Sequence, residues 1–124
     1  LEHLIDAFMP RARRNNTYCK TLSGVSDERI KSVRTIDGLR EVFNNDRYHK
    51  VNFEAYSRHR TVEFRQHSGT TNFTKMENWI RFLNGLITFA KRSSLPSRMT
   101  LEGLPFLDGK QKLFFKLRTK KLAV

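Results

Sequence analysis

The chain has 124 residues, a formal charge of +12 from 24 Lys and Arg against 12 Asp and Glu, and a single cysteine. That length supports one domain at most, with one modest core. No run approaches the ~20 apolar residues of a membrane span, no signal-peptide pattern opens the chain, and Cys19 cannot close an internal disulfide, which fits a reducing, cytoplasmic setting.

LEHLIDAF reads as a short helix stopped by Pro10. RARRNNTYCKTLSG is polar and irregular, with a turn at Ser23-Gly24, and Ser26 is placed to cap a helix whose first turn carries Asp27 and Glu28. A second short helix over 37–43 carries Leu39, Val42 and Phe43 on one side, and Asn44-Asn45-Asp46 ends it.

Two strands are expected next. YHKVNFEAY (48–56) alternates Val51 and Phe53 with Lys50, Asn52 and Glu54, SRHR has hairpin length, and TVEFRQH (61–67) is the partner. Alternate residues share a face, so Glu63, Arg65 and His67 would stand in one row, ~7 Å between neighbours. An acid, a guanidinium and an imidazole in a row make either a solvated salt-bridge ladder or the floor of a site.

Thr74 and Glu77 then predict a capping box for a helix over 74–92, with Met76, Trp79 or Ile80, Leu83, Leu86 or Ile87, and Ala90 as its buried stripe. Phe82 and Phe89 widen that stripe beyond one face. Its Met, Trp and Phe are core material rather than a cofactor box. The expected cover of the sheet's apolar face is this helix, giving an α+β domain with a small antiparallel sheet. After a loop containing Pro96 and Pro105, Asp108 caps a last amphipathic helix running through Leu113, Phe114 and Leu117 to about Lys121. Lys110, Lys112, Lys116, Arg118, Lys120 and Lys121 crowd it with base and no acid, a pattern suited to nucleic acid, ribonucleoprotein, phosphorylated substrates or acidic membrane surfaces.

The run RRNNTYC, then RYHKVNFEAYSRHRTVEFRQHSGT, then MENWIRFLNGLI, resembles the C-terminal half of the phage- and mobile-element-associated amidoligases, carboxylate–amine ligases of the glutamine-synthetase-like superfamily. The resemblance covers roughly residues 1–92 and leaves 93–124 as a basic extension. It implies half of a glutamine-synthetase-like fold and a reaction using ATP and magnesium. It would make Glu63 a ligand of the magnesium–nucleotide complex and Arg65 the group that stabilises the acyl phosphate or transferring phosphoryl group, with His67 as a second catalytic side chain. Asn52 and Arg47 would line the nucleotide pocket, and Arg14, Asn16 and Tyr18 would border the substrate. Metal and guanidinium charge in fixed positions are what phosphoryl transfer requires.

The family also draws acidic metal ligands from a Glu-x-Glu-like strand, and this sequence contains no Glu-x-Glu. The chain therefore carries only part of an active site and is expected to be inactive in isolation. A start at Leu favours a piece of a longer enzyme. The basic tail equally suits a small non-catalytic protein of a mobile element that binds nucleic acid or a ribonucleoprotein, for example an anti-CRISPR inhibitor of a Cas effector. A metal site built from Cys19 with His49, His59 or His67 lacks any zinc spacing.

Overall fold

The computed structural model describes residues 1–96 and 98–123; Ser97 and Val124, both in the expected basic extension, lie outside the described residues. The fold is α+β, with six α-helices and one two-stranded antiparallel sheet among those residues. The chain divides into two compact units, Arg11–His67, and Leu1–Pro10 with Ser68–Val124.

In the first unit, the 3₁₀ turn Arg11–Arg13 leads into a tight reversal, where Asn16 and Cys19 exchange backbone hydrogen bonds. Cys19 is fully buried, and its Sγ donates to the Arg13 carbonyl at 3.2 Å. Gly24 supplies the positive φ of the expected turn (90°). Helix α2 (Asp27–Ser32) is capped by Ser26 and α3 (Ile36–Val42) by Thr35. Asn44 and Asn45, both left-handed, end the α3 segment as their type allows. Val42 and Phe43 are buried, Phe43 against His49 and Phe53 with ring centroids 5.3 and 5.1 Å apart.

The sheet is much shorter than expected. Strand β1 is Val51–Asn52 and β2 is Glu63–Phe64, paired Val51 to Phe64 and Asn52 to Glu63. Residues 55–59, expected as strand end and hairpin connection, form helix α4 (Ala55–His59). The cause is local: the Asn52 Oδ1 accepts the Glu54 N–H at 2.9 Å, drawing the chain out of the extended conformation. Arg60, at φ 56°, closes the helix in a left-handed cap. Lys20 adds a third segment in parallel beside His49, with Lys20 N–H bonded to the Tyr48 carbonyl and Lys50 N–H to that of Lys20.

In the second unit, α1 (Glu2–Ala7) supplies Ile5, with Phe8 and Met9 following, and α5 (Phe73–Ala90) and α6 (Gly109–Leu122) complete the core. Phe8, Phe82 and Phe115 meet with ring centroids 4.5–5.5 Å apart, and Trp79 stacks on Phe82. The expected helix-to-sheet cover falls across the two units; each packs a core of its own.

Three local expectations are corrected here. The cap of α5 is Asn72, whose side chain accepts the Lys75 N–H, rather than Thr74, and Glu77 pairs with Arg81 one turn on. Its buried face runs through Trp79 and Phe82 with Leu83 and Leu86 half-buried, so Trp79 and Leu86 are the inward members of the two expected pairs. Ile80 and Ile87 are exposed, and the expected Met76 and Ala90 are exposed as well. On α6 the expected Asp108 cap is present, in a reciprocal box with Gln111. The inward face is Gln111 and Phe115, however, while Leu113 and Leu117 are 56% and 58% exposed.

Candidate functional site

A polar cleft in the first unit has a volume of about 490 Å³. Tyr48, Asn52, Glu63 and Arg65 come to it from the paired segments, Glu54, Arg58 and His59 from the α4 turn, and Arg47 from the approach to β1. Antiparallel pairing sets Asn52 directly opposite Glu63, and the Asn52 Nδ2 donates to the Glu63 Oε2 at 2.8 Å. The other oxygen, Oε1, accepts from the Arg65 Nη1 at 3.0 Å. Glu63 and Arg65 therefore project to one side, as the alternating pattern requires.

Arg65 is held from a second direction. Its Nε and Nη2 both donate to the Tyr18 carbonyl at 3.3 Å. Tyr18 is placed there by Asn16, whose Oδ1 accepts the Tyr18 N–H at 2.9 Å. The Arg65 carbonyl accepts in turn from the Arg13 guanidinium, so the backbone at this position is anchored as well. The Tyr48 ring lies 5.6 Å from the Arg65 guanidinium and 4.9 Å from that of Arg47, distances at which a ring face attracts a cation.

Behind the cleft wall, the Glu54 carboxylate accepts from the Arg40 Nε and Nη2 at 3.1 and 2.8 Å and from Asn45 at 3.2 Å. The Arg40 hydrogen bond holds the Glu54 carboxyl below the usual carboxylate range. Each glutamate of the cleft already faces a guanidinium, while Arg47 and Arg58 add positive charge to the lining. The cleft can bind an oxyanion.

A family model described as "Putative amidoligase enzyme" matches residues 1–87, which takes in this cleft whole. The chain belongs to that amidoligase family. No curated protein and no solved structure matches it. The amidoligase match ends within α5, so α6 lies beyond it.

Among the residues the resemblance implied, Arg47, Asn52, Glu63 and Arg65 gather at this cleft. Tyr18 takes part through its carbonyl, its ring edge-on to Tyr48 at 5.6 Å. Arg14 and His67 are half-buried and are not among the lining residues. β2 ends at Phe64, so no extended row carries on to position 67. Magnesium needs about six oxygen ligands in tight octahedral geometry. Both Glu63 oxygens and both Glu54 oxygens already accept hydrogen bonds, and no group of three or more His, Cys, Asp or Glu among the described residues could hold a metal ion. The donor set, guanidinium groups with each carboxylate already facing one, fits an oxyanion better than a metal held by protein ligands alone.

Sequence reasoning missed Arg58, His59 and Glu54 as wall residues, because the segment reads as strand and loop. The one available signal was Asn52-x-Glu54, an arrangement that favours an Asx turn. It also missed Arg40, fourteen residues from the glutamate it holds.

The basic tail is unevenly available. Arg118 donates through Nε to the Phe8 carbonyl at 2.8 Å, and its burial lowers the guanidinium pKa. Lys112 donates to the Glu102 carbonyl. Lys110, Lys116, Lys120 and Lys121 are exposed. Among the described residues no helix is long and apolar enough to cross a membrane.

Proposed function

We propose that this amidoligase-family protein serves ATP-dependent carboxylate–amine ligation, and that the Arg65 cleft holds the oxyanion end of the reacting carboxylate or of the nucleotide phosphates. The observation that carries this reading is a guanidinium fixed on two sides, by Glu63 and by the Tyr18 carbonyl, at the wall of a cleft inside the family match.

A carboxylate does not condense with an amine at neutral pH, because oxide is too poor a leaving group. A bound nucleotide supplies the phosphoryl group that turns one carboxylate oxygen into a leaving group. The chain's own contribution is to concentrate positive charge where negative charge gathers. Arg65 presents its planar fork already oriented, so little reorganisation is needed as a reaction proceeds. Arg47, beside the Tyr48 hydroxyl at 2.8 Å, and Arg58 on α4 extend that field along the walls. Both carboxylates of the cleft, Glu54 and Glu63, face guanidinium groups, so their part is to hold arginines in place.

The test is calorimetric titration of the intact protein with ATP and magnesium, beside Arg65→Ala. A hydrogen bond to a charged group contributes about 1.5–3 kcal/mol, so the variant should bind roughly ten- to a hundredfold more weakly. Equal binding by both proteins would remove the reading.

A further inference from the structure

The Glu63 carboxylate has the residue type of a metal ligand and the contacts of something else. We infer that Glu63 is a positioning residue, which holds Arg65 in place for an oxyanion and does not ligate a metal ion. The inference rests on the reading of the cleft as an oxyanion site, and deepens it by assigning the role of its central acid.

The contacts form one chain. Glu63 Oε1 accepts from Arg65 at 3.0 Å and Oε2 from Asn52 at 2.8 Å. Asn52 is buried, and its own Oδ1 accepts the Glu54 N–H at 2.9 Å. That second bond decides which way the amide points: its oxygen is taken by Glu54, so its N–H groups face Glu63. Glu54 is gripped in turn by Arg40 from α3. Each acceptor in the series has a donor aimed at it, and the series ends on the guanidinium at the cleft.

A divalent ion at Glu63 would have to share a carboxylate oxygen with one of these donors. On the Oε1 side it would sit beside a guanidinium, like charge against like charge within a few ångströms. On the Oε2 side it would draw electron density from the oxygen that the buried Asn52 amide donates to, weakening that bond. Among the described residues no group of three or more His, Cys, Asp or Glu stands there to compensate. For Arg65 the same carboxylate is well suited: the side chain is long and flexible, and ordering it beforehand removes an entropy cost that a ligand would otherwise bear.

Pyrophosphate titrations of the intact protein, with and without magnesium, test this in wild type, Glu63→Ala, Glu63→Gln and Arg65→Ala. The ¹⁵N resonance of the Arg65 Nε is followed alongside. Glu63→Ala should weaken pyrophosphate binding about tenfold, by the same factor in both buffers, and should move the Arg65 signal toward that of a solvent-exposed arginine. Glu63→Gln keeps an oxygen for Arg65 and should recover part of the loss. Glu63→Gln keeps an oxygen for the Asn52 amide, and the side chain is 48% exposed, so this variant should keep the wild-type melting temperature within a few degrees. A loss confined to the magnesium titrations makes Glu63 a metal ligand and overturns the inference. So does wild-type affinity in Glu63→Ala while Arg65→Ala binds poorly. Wild-type affinity in Arg65→Ala, or no pyrophosphate binding by wild type, instead removes the oxyanion reading beneath it.

Discussion

Arg65 draws its fixed position from Tyr18, forty-seven residues earlier, and from Glu63, two residues earlier. The near partner was legible, because an alternating strand pattern puts positions 63 and 65 on one side. The distant one was not, since a backbone carbonyl has no residue type to recognise. Ionisation at two neighbouring residues gives a pH prediction. Glu54 is held below the usual carboxylate range chiefly by the hydrogen bond from Arg40, and Asp46 chiefly by that from Lys20. A carboxyl depressed in the folded state contributes stability that is complete above its unfolded pKa and is lost as pH falls through the folded value. Urea midpoints should therefore be level near neutrality and drop below roughly pH 4. Glu54→Gln should flatten part of that drop, and an unaltered acid limb in the variant would show that another group is responsible.

Helix phase is the matter settled at the scale of elements. Both long helices were found near their expected positions; α5 buries the Trp79 side of its expected stripe, widened by Phe82, whereas α6 presents a different face from the one its apolar residues suggest. In α6, Phe114 and Phe115 are adjacent, and Leu113 and Leu117 tempt the eye toward a stripe that includes Phe114. Packing instead selects Phe115, because it reaches Phe8 and Phe82. Phe115→Ala should cost about 3–5 kcal/mol in chemical denaturation, while Leu113→Ser should stay within about 0.5 kcal/mol. The reverse order would mean that the helix is rotated. Gly85 in α5 offers a second check. An added Cβ would come within 2.9 Å of the Phe106 ring and 3.1 Å of its carbonyl. Alanine is about 1 kcal/mol the better helix former, yet overpacking typically costs about 1–3 kcal/mol. Gly85→Ala should accordingly lower the melting temperature, whereas a rise would mean that the Phe106 loop yields freely.

For the molecule as a whole, the charge of +12 sets behaviour in solution without choosing a partner. Retention on an immobilised polyanion should fall steeply with salt, as counterion release requires. Lys116→Glu and Lys120→Glu should shorten that retention. Arg118→Gln should act mainly on stability, because its guanidinium is tied to the Phe8 carbonyl inside the unit that α1, α5 and α6 share. A retention loss from Arg118→Gln as large as from the lysine variants would contradict its assignment to the core. The division into two units also shows how the small sheet is stabilised: its surroundings in residues 11–67 include Phe43, Phe53 and the Lys20 segment.

Composition, capping residues and alternation were enough to establish an α+β chain, the caps at Ser26 and Asp108, the side shared by Glu63 and Arg65, and the resemblance to amidoligases. These depend on neighbours within a few residues, where side-chain type and spacing are strong constraints. Tertiary structure alone decided which face of α6 is buried, that Asn52 takes the second oxygen of Glu63, and that the Tyr18 carbonyl holds Arg65. Those outcomes turn on hydrogen bonds and packing between residues far apart in the chain, and a local pattern carries no information about which distant group arrives to complete them.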